Sequence, residues 1–149
     1  MNIGDLLTSD SILLARKASN YSDALEIASV HLSYLTEQRP QQILQVLLER
    51  EEKGSTGLGS GFALPHARLE GVKNTYGVFI HLNEPVDASA TDGAPVDVIC
   101  VLLAPESDTA NYLRAVGKIA TILRDQSRRQ ILRCGDKDAI YATLTSEDV

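Results

Sequence analysis

At 149 residues, with 44% hydrophobic and 23% charged positions, the chain has the length and balance of one globular domain with a sizeable core. Its formal net charge of -6 lacks the basic excess that a nucleic-acid surface needs, and two cysteines, Cys100 and Cys134, do not make a disulfide framework. The start, Met1 to Asp5, has no basic or long apolar segment, and no apolar run approaches a membrane span, so a cytoplasmic protein without membrane insertion is expected.

Helices and strands alternate along the chain. Ile12 to Ala15 reads as a short edge strand. Asn20 or Ser22 caps a helix through Thr36, with Leu25, Ala28, Leu32 and Leu35 at helical spacing. Pro40 suits the first turn of a second helix, Gln41 to Lys53, striped by Ile43, Leu44, Leu47 and Leu48 and ended by Gly54. Strands follow at Gly61 to Leu64, Thr75 to Leu82 and Val96 to Leu103, the last apolar enough to be central and buried on both faces. Asp108 or Thr109 starts a helix to about Leu123, and a final helical stretch runs from about Asp136 to Leu144. The arginines between Arg124 and Arg133 read as a solvated helix face, Cys100 as a small buried hydrophobe, and the tail Thr145 to Val149 as frayed. With no repeat or linker, the pattern predicts a single-domain α/β sandwich over residues 1–149, a mixed β-sheet covered by helices.

The chemistry concentrates in the glycine-rich stretch Gly54-Ser55-Thr56-Gly57-Leu58-Gly59-Ser60-Gly61, which leads through Phe62-Ala63-Leu64 to Pro65-His66. Glycines permit turns and close approaches that a Cβ forbids, and proline stiffens the approach to His66. The spacing is not that of a dinucleotide loop, no Gly-x-x-x-x-Gly-Lys-Ser/Thr is present, and the segment runs helix to strand, opposite to those loops. Alone it would be a helix cap and a tight turn. Together with the hydroxyls of Ser55 and Thr56, the free amides around Gly57 and the imidazole of His66, it suggests a pocket for transient phosphorylation of the ring.

Arg50, near the end of the second helix, can reach the glycine-rich turn and clamp a phosphoryl group, although the helix dipole also favours arginine there. Arg68 is a second, weaker candidate. His31 and His81 fit ordinary hydrogen-bonded side chains. The histidines and cysteines show no zinc-type spacing, so neither metal nor cofactor is expected, and no Gly-x-Ser-x-Gly elbow supports a hydrolase.

Arg50-Glu51, Gly54-Ser55-Thr56-Gly57-Leu58-Gly59 and Ala63-Leu64-Pro65-His66-Ala67, with Val96-Asp97 and Pro105 flanking the apolar strand, resemble the signature of the fructose/mannitol-type IIA domain of the bacterial phosphoenolpyruvate-dependent phosphotransferase system. The resemblance spans nearly the whole chain. It implies an α/β sandwich, a phosphoenzyme-type intermediate on His66, and a small phosphocarrier protein (HPr- or NPr-like) as donor. Arg50, Ser55 and Thr56 would belong to the surroundings of the phosphorylated ring.

Members of that family commonly carry a second histidine in a His-Leu pair where this chain has Tyr112-Leu113. A phenol donates a hydrogen bond but gains no positive charge near neutral pH, so Tyr112 is expected to border His66 without acid–base work. Onward transfer to a sugar-specific IIB domain is then in question. The expected function is the nitrogen-regulatory branch, in which phosphorylation state governs binding to regulated partners such as transporters or kinases. A sugar-uptake IIA component and an interaction module with vestigial phosphorylation are the alternatives.

Overall fold

The computed structural model describes residues 6–146. The start Met1 to Asp5 and the last three residues of the expected tail lie outside the described residues. A 3-10 turn at Ser9–Ser11 leads into β1 (Ile12–Arg16), α1 (Tyr21–Thr36), α2 (Pro40–Glu52), β2 (Gly57–Gly59), β3 (Phe62–Ala63), β4 (His66–Arg68), β5 (Tyr76–Val86), β6 (Val96–Ala104), α3 (Thr109–Arg124), α4 (Gln126–Leu132) and α5 (Lys137–Leu144).

Local chemistry sets the helix ends. Asn20 caps α1 by accepting the Asp23 amide at 2.8 Å. Pro40 stands in the first turn of α2, where its missing N–H costs nothing. Asp108, Asp125 and Asp136 accept amides at the starts of α3, α4 and α5.

The sheet is mixed, in the order β1-β5-β6-β3-β2, with β4 also pairing β6. β1 is an edge strand, parallel to β5; β5 and β6 are antiparallel; β3 and β4 run parallel to β6. The period-2 alternation of β6 divides the core. Val98, Cys100 and Leu102 pack with Ala115, Ile119 and Leu123 of α3, Leu132 of α4 and Ile140 of α5. Ile99, Val101 and Leu103 pack with Leu25, Ala28 and Leu32 of α1 and Ile43 and Leu47 of α2. Helices therefore cover both faces of the sheet, the α/β sandwich expected from the sequence. Burial pushes the Cys100 thiol up to about 12, which leaves it inert as a nucleophile.

Three details differ from expectation. The glycine-rich segment is itself part of the sheet, because Leu58 lies in β2, antiparallel to β3. The strand expected at Gly61 to Leu64 does not end at the Pro-His pair: Phe62 faces Val98 and His66 faces Leu102, so β3 and β4 keep one register against β6. Pro65 interrupts the strand because it has no N–H, yet its carbonyl still accepts from the Leu102 amide at 3.0 Å. Lastly, the arginine segment is not simply a solvated face. Arg129 of α4 donates to the carbonyls of Leu58 and Gly59 at 3.1 and 3.2 Å. Arg133 donates to Ser60 and Asp97, and both guanidinium groups stack on the Phe62 ring.

Candidate functional site

His66 opens β4, and its register beside Leu102 fixes the backbone. Its Nδ1 lies 2.7 Å from the Leu64 carbonyl oxygen. A carbonyl only accepts, so Nδ1 carries the proton and donates it, and the lone pair of the neutral ring resides on Nε2. Burial is the largest influence on the ring and lowers its pKa below the ordinary value; the Leu64 carbonyl opposes this, Arg50 lowers it further and Glu51 raises it. The neutral, nucleophilic form is thereby favoured at neutral pH.

The ring borders a cleft of about 520 Å³ whose walls include Arg50 and Lys53 from the end of α2, Arg68 from β4, and Tyr112 from the start of α3. Glu49 and Glu106 also reach it. The three cations outnumber the two carboxylates, a local positive site on a chain of net charge -6. Arg50 additionally donates to the Gly54 carbonyl at 3.0 Å, which ties the guanidinium to the end of its own helix. Arg68 donates to Thr109 Oγ1 at 2.9 Å and stands 5.4 Å from the centre of the Tyr112 ring.

Tyr112 is next to His66: the ring centres are 5.9 Å apart and the planes tilted by 49°. Burial raises the pKa of its phenol, with Arg68 and then Arg50 pulling the other way. A neutral phenol therefore stands beside the imidazole, and among the described residues no second histidine lines the cleft.

Arg50, His66 and Tyr112 meet at one cleft; Ser55, Thr56 and Gly57 are not among its walls. The Ser55 hydroxyl accepts the Gly57 amide at 3.0 Å. The Thr56 hydroxyl is buried and bonds to the Glu51 carboxylate, so it is not turned to an incoming anion. Gly57 sits in a tight approach: a Cβ there would stand 3.1 Å from the Ser55 hydroxyl and 3.2 Å from the Ala90 Cβ. Sequence reasoning gave no separate role to Glu51 and did not single out Lys53; the signal for both was the helix-end position next to Arg50.

The other histidines are engaged elsewhere. His31 Nε2 lies 3.0 Å from Ser11 Oγ, and His81 Nε2 lies 3.7 Å from Asp97. Among the described residues no group of histidines, cysteines and carboxylates could hold a metal ion, and no helix is long and apolar enough to cross a membrane. A larger cleft, about 620 Å³, is lined by Lys17, Asp23, Glu84 and Asp87 among others. It holds no histidine, and its charges are mainly acidic, so it offers nothing to a phosphoryl group.

The molecule is thus a mixed sheet between two helix layers, with an imidazole at a cationic cleft. The solved structure of nitrogen regulatory protein IIA-Ntr from Neisseria meningitidis superposes with a TM-score of 0.92 at 35% identity, covering 96% of this chain and 99% of that one. IIA mannitol from Escherichia coli shares the fold, with a TM-score of 0.75 at 23% identity over 92% of this chain and 97% of its own. Residues 5–147 match the family model for the phosphoenolpyruvate-dependent sugar phosphotransferase system, EIIA 2, and the chain belongs to that family. Among its relatives, a nitrogen regulatory protein of Bradyrhizobium diazoefficiens is 39% identical over 145 residues, 97% of this chain and 95% of that protein. Another, of Pseudomonas aeruginosa, is 43% identical over 117 residues, 78% of this chain and 76% of its own.

Proposed function

We propose that this chain is a regulatory IIA phosphoprotein of the nitrogen-regulatory type, with residues 1–149 acting as one cytoplasmic unit. His66 takes a phosphoryl group from a small phosphocarrier protein, and its phosphorylation state governs binding to regulated partners. The observation that carries this reading is the Nδ1 bond to Leu64, which leaves Nε2 as the nucleophile beside three cations.

The step is a displacement at phosphorus. The Nε2 lone pair forms the new P–N bond as the P–N bond to the carrier's phosphohistidine breaks, and the carrier imidazole leaves with its electron pair. The proton on His66 Nδ1 stays in place, and the Leu64 carbonyl stabilises the positive charge that the phosphorylated ring acquires. Arg50 faces the phosphoryl oxygens, where charge builds up in the transition state. Phosphoryl transfer asks for positioning and electrostatic stabilisation more than for proton transfer, which fits a site whose second ring is a neutral phenol.

Relatives named as nitrogen regulatory proteins, 39% and 43% identical, support the regulatory branch. Tyr112, where a second histidine would assist onward transfer, argues in the same direction. The test is incubation with phosphoenolpyruvate, the first enzyme of the system and a carrier, followed by mass spectrometry at neutral pH. A single added phosphoryl group on His66 supports the reading; none under conditions that load a known IIA domain rejects it. Rapid passage from the loaded protein to a IIB domain would favour a sugar-uptake component instead.

A further inference from the structure

Arg50 and Glu51 are consecutive in the last turn of α2, but they serve different neighbours. Arg50 lines the cleft. Glu51 turns to the loop that follows: one carboxylate oxygen accepts the Thr56 hydroxyl, and the other lies 3.4 Å from the Thr56 amide. Thr56 in turn accepts the Leu64 amide at 3.0 Å through its carbonyl. Leu64 then accepts His66 Nδ1 at 2.7 Å through its own. An unbroken hydrogen-bond chain thus runs from the end of α2 to the imidazole.

The pattern at Thr56 and Leu64 is informative. Gly57 faces Ala63 in the β2–β3 ladder, so Thr56 and Leu64 stand where the next pair would continue it. In an antiparallel ladder, a hydrogen-bonded pair exchanges two N–H···O bonds. Here the Leu64 amide goes to Thr56, but the Thr56 amide goes to Glu51. The Leu64 carbonyl is left to the histidine. The acceptor side of this junction is sheltered: Thr56 is 5% exposed, and the Tyr21 hydroxyl is buried beside the Glu51–Thr56 pair.

We propose that Glu51 is a positioning residue for the phosphoryl acceptor: by holding the Thr56 amide and hydroxyl, it frees the Leu64 carbonyl to bind Nδ1–H of His66 and so presents Nε2 to the cleft. This rests on His66 being the acceptor. Glu51 acts through Thr56 and Leu64; it does not itself touch the reacting atoms.

The experiment reads the His66 tautomer by 15N NMR of the unphosphorylated protein at neutral pH, and in parallel the rate of phosphoryl transfer from a loaded carrier. The wild type shows the Nδ1–H form. Glu51→Ala, with a native circular dichroism spectrum, shows a mixture of tautomers and accepts the phosphoryl group about 10²-fold more slowly, the scale expected when a remote change misplaces a reacting group. Thr56→Val loses only the hydroxyl contact and moves both readouts less, in the same direction; Thr56→Ser, which keeps the hydroxyl, recovers them. A wild-type tautomer and rate in both Glu51→Ala and Thr56→Val would overturn the proposal. So would a wild-type ring that is mainly Nε2–H. Should Glu51→Ala fail to fold, the Thr56→Val and Thr56→Ser pair decides. Absence of transfer in the wild type would defeat the acceptor reading alone, because the tautomer comparison needs no phosphate.

Discussion

His66 Nδ1 and the Leu64 carbonyl are 2.7 Å apart, two residues from each other in sequence and on either side of Pro65. Proline has no amide to offer, the strand is interrupted there, and the imidazole takes up a carbonyl of its own chain. The consequence is a ring with one nitrogen committed and one available.

The label from the carrier should therefore appear on His66 alone. His66→Ala removes it, whereas His31→Ala and His81→Ala remain close to wild type, since those rings lie beside Ser11 and Asp97, away from the cleft. Intact-mass measurement after loading, with the acid lability and base stability of a phosphohistidine as a control, decides this. Label on His66→Ala at the wild-type rate would refute the assignment.

The rate of acceptance should be flat around neutral pH and fall in acid. Only neutral imidazole is a nucleophile, and burial holds the His66 pKa below the ordinary 6.5. Acceptance is thus retained below pH 6.5 and lost as pH drops through the lowered value. The same shift is a stability statement. A histidine harder to protonate when folded contributes its full share above pH 6.5, and that share is lost as pH falls through the folded pKa. Stopped-flow transfer from a pre-loaded carrier, corrected for the carrier's own hydrolysis, gives the profile. A midpoint above 6.5 would contradict the burial argument.

Arg50→Ala should slow acceptance by about 10²–10³, the usual loss when one preorganised electrostatic contact is removed from a transition state. Arg50→Lys should recover only part of this, because an ammonium cannot reproduce the planar fork. The fold should survive, since the guanidinium's one assigned hydrogen bond is to the Gly54 carbonyl at the helix end. Unchanged kinetics in a natively folded Arg50→Ala protein would leave Arg50 as a helix-terminal charge and nothing more.

Much of the architecture is visible in the sequence because it is periodic or punctuated. The stripes of α1 and α2, Pro40, and the continuous apolar run of β6 each carry a local signal, and the motif around Arg50 and His66 marks two residues that do meet at the cleft. β2 and β4 carry none, since strands of three residues are too short to show alternation. The roles of Thr56 and Arg129 depend on partners set by tertiary structure. From the sequence Thr56 reads as free for a phosphate, but Glu51, on the preceding helix, takes its hydroxyl. Arg129 is read as solvated until folding brings it to the Leu58 carbonyl, 71 residues away.

Gly61 tests that long-range clamp. Its φ of +89° disfavours any side chain, and a Cβ would stand 2.5 Å from the Arg133 guanidinium and 2.9 Å from the Asp97 carboxylate. Gly61→Ala should therefore cost roughly 1–3 kcal/mol in urea unfolding, the scale of a strained backbone position. The clash adds to it because Arg133 is already bonded to Ser60 and Asp97. Gly93→Ala, at a positive φ with open space around it, should cost less. Equal losses at the two sites would mean that backbone strain alone accounts for the effect and that the clamp contributes nothing.

Tyr112 carries the last prediction. Its ring centre lies 5.9 Å from that of His66, and Arg68 stands over its face. Burial raises its pKa, so the phenol stays neutral through the physiological range and brings no positive charge to a phosphorylated neighbour. Its contribution is to wall the cleft, and the ring does that without the hydroxyl. Tyr112→Phe should keep acceptance within a few-fold of wild type. Tyr112→His supplies an imidazole that can gain charge beside the phosphorylated ring, so it should speed onward transfer to a IIB domain while leaving the first step little changed. Measuring both half-reactions with the same loaded protein separates these effects. Loss of acceptance in a folded Tyr112→Phe protein would make the hydroxyl essential and end the view of Tyr112 as a passive wall. No gain in onward transfer from Tyr112→His would mean that a second imidazole at this position does not govern that step.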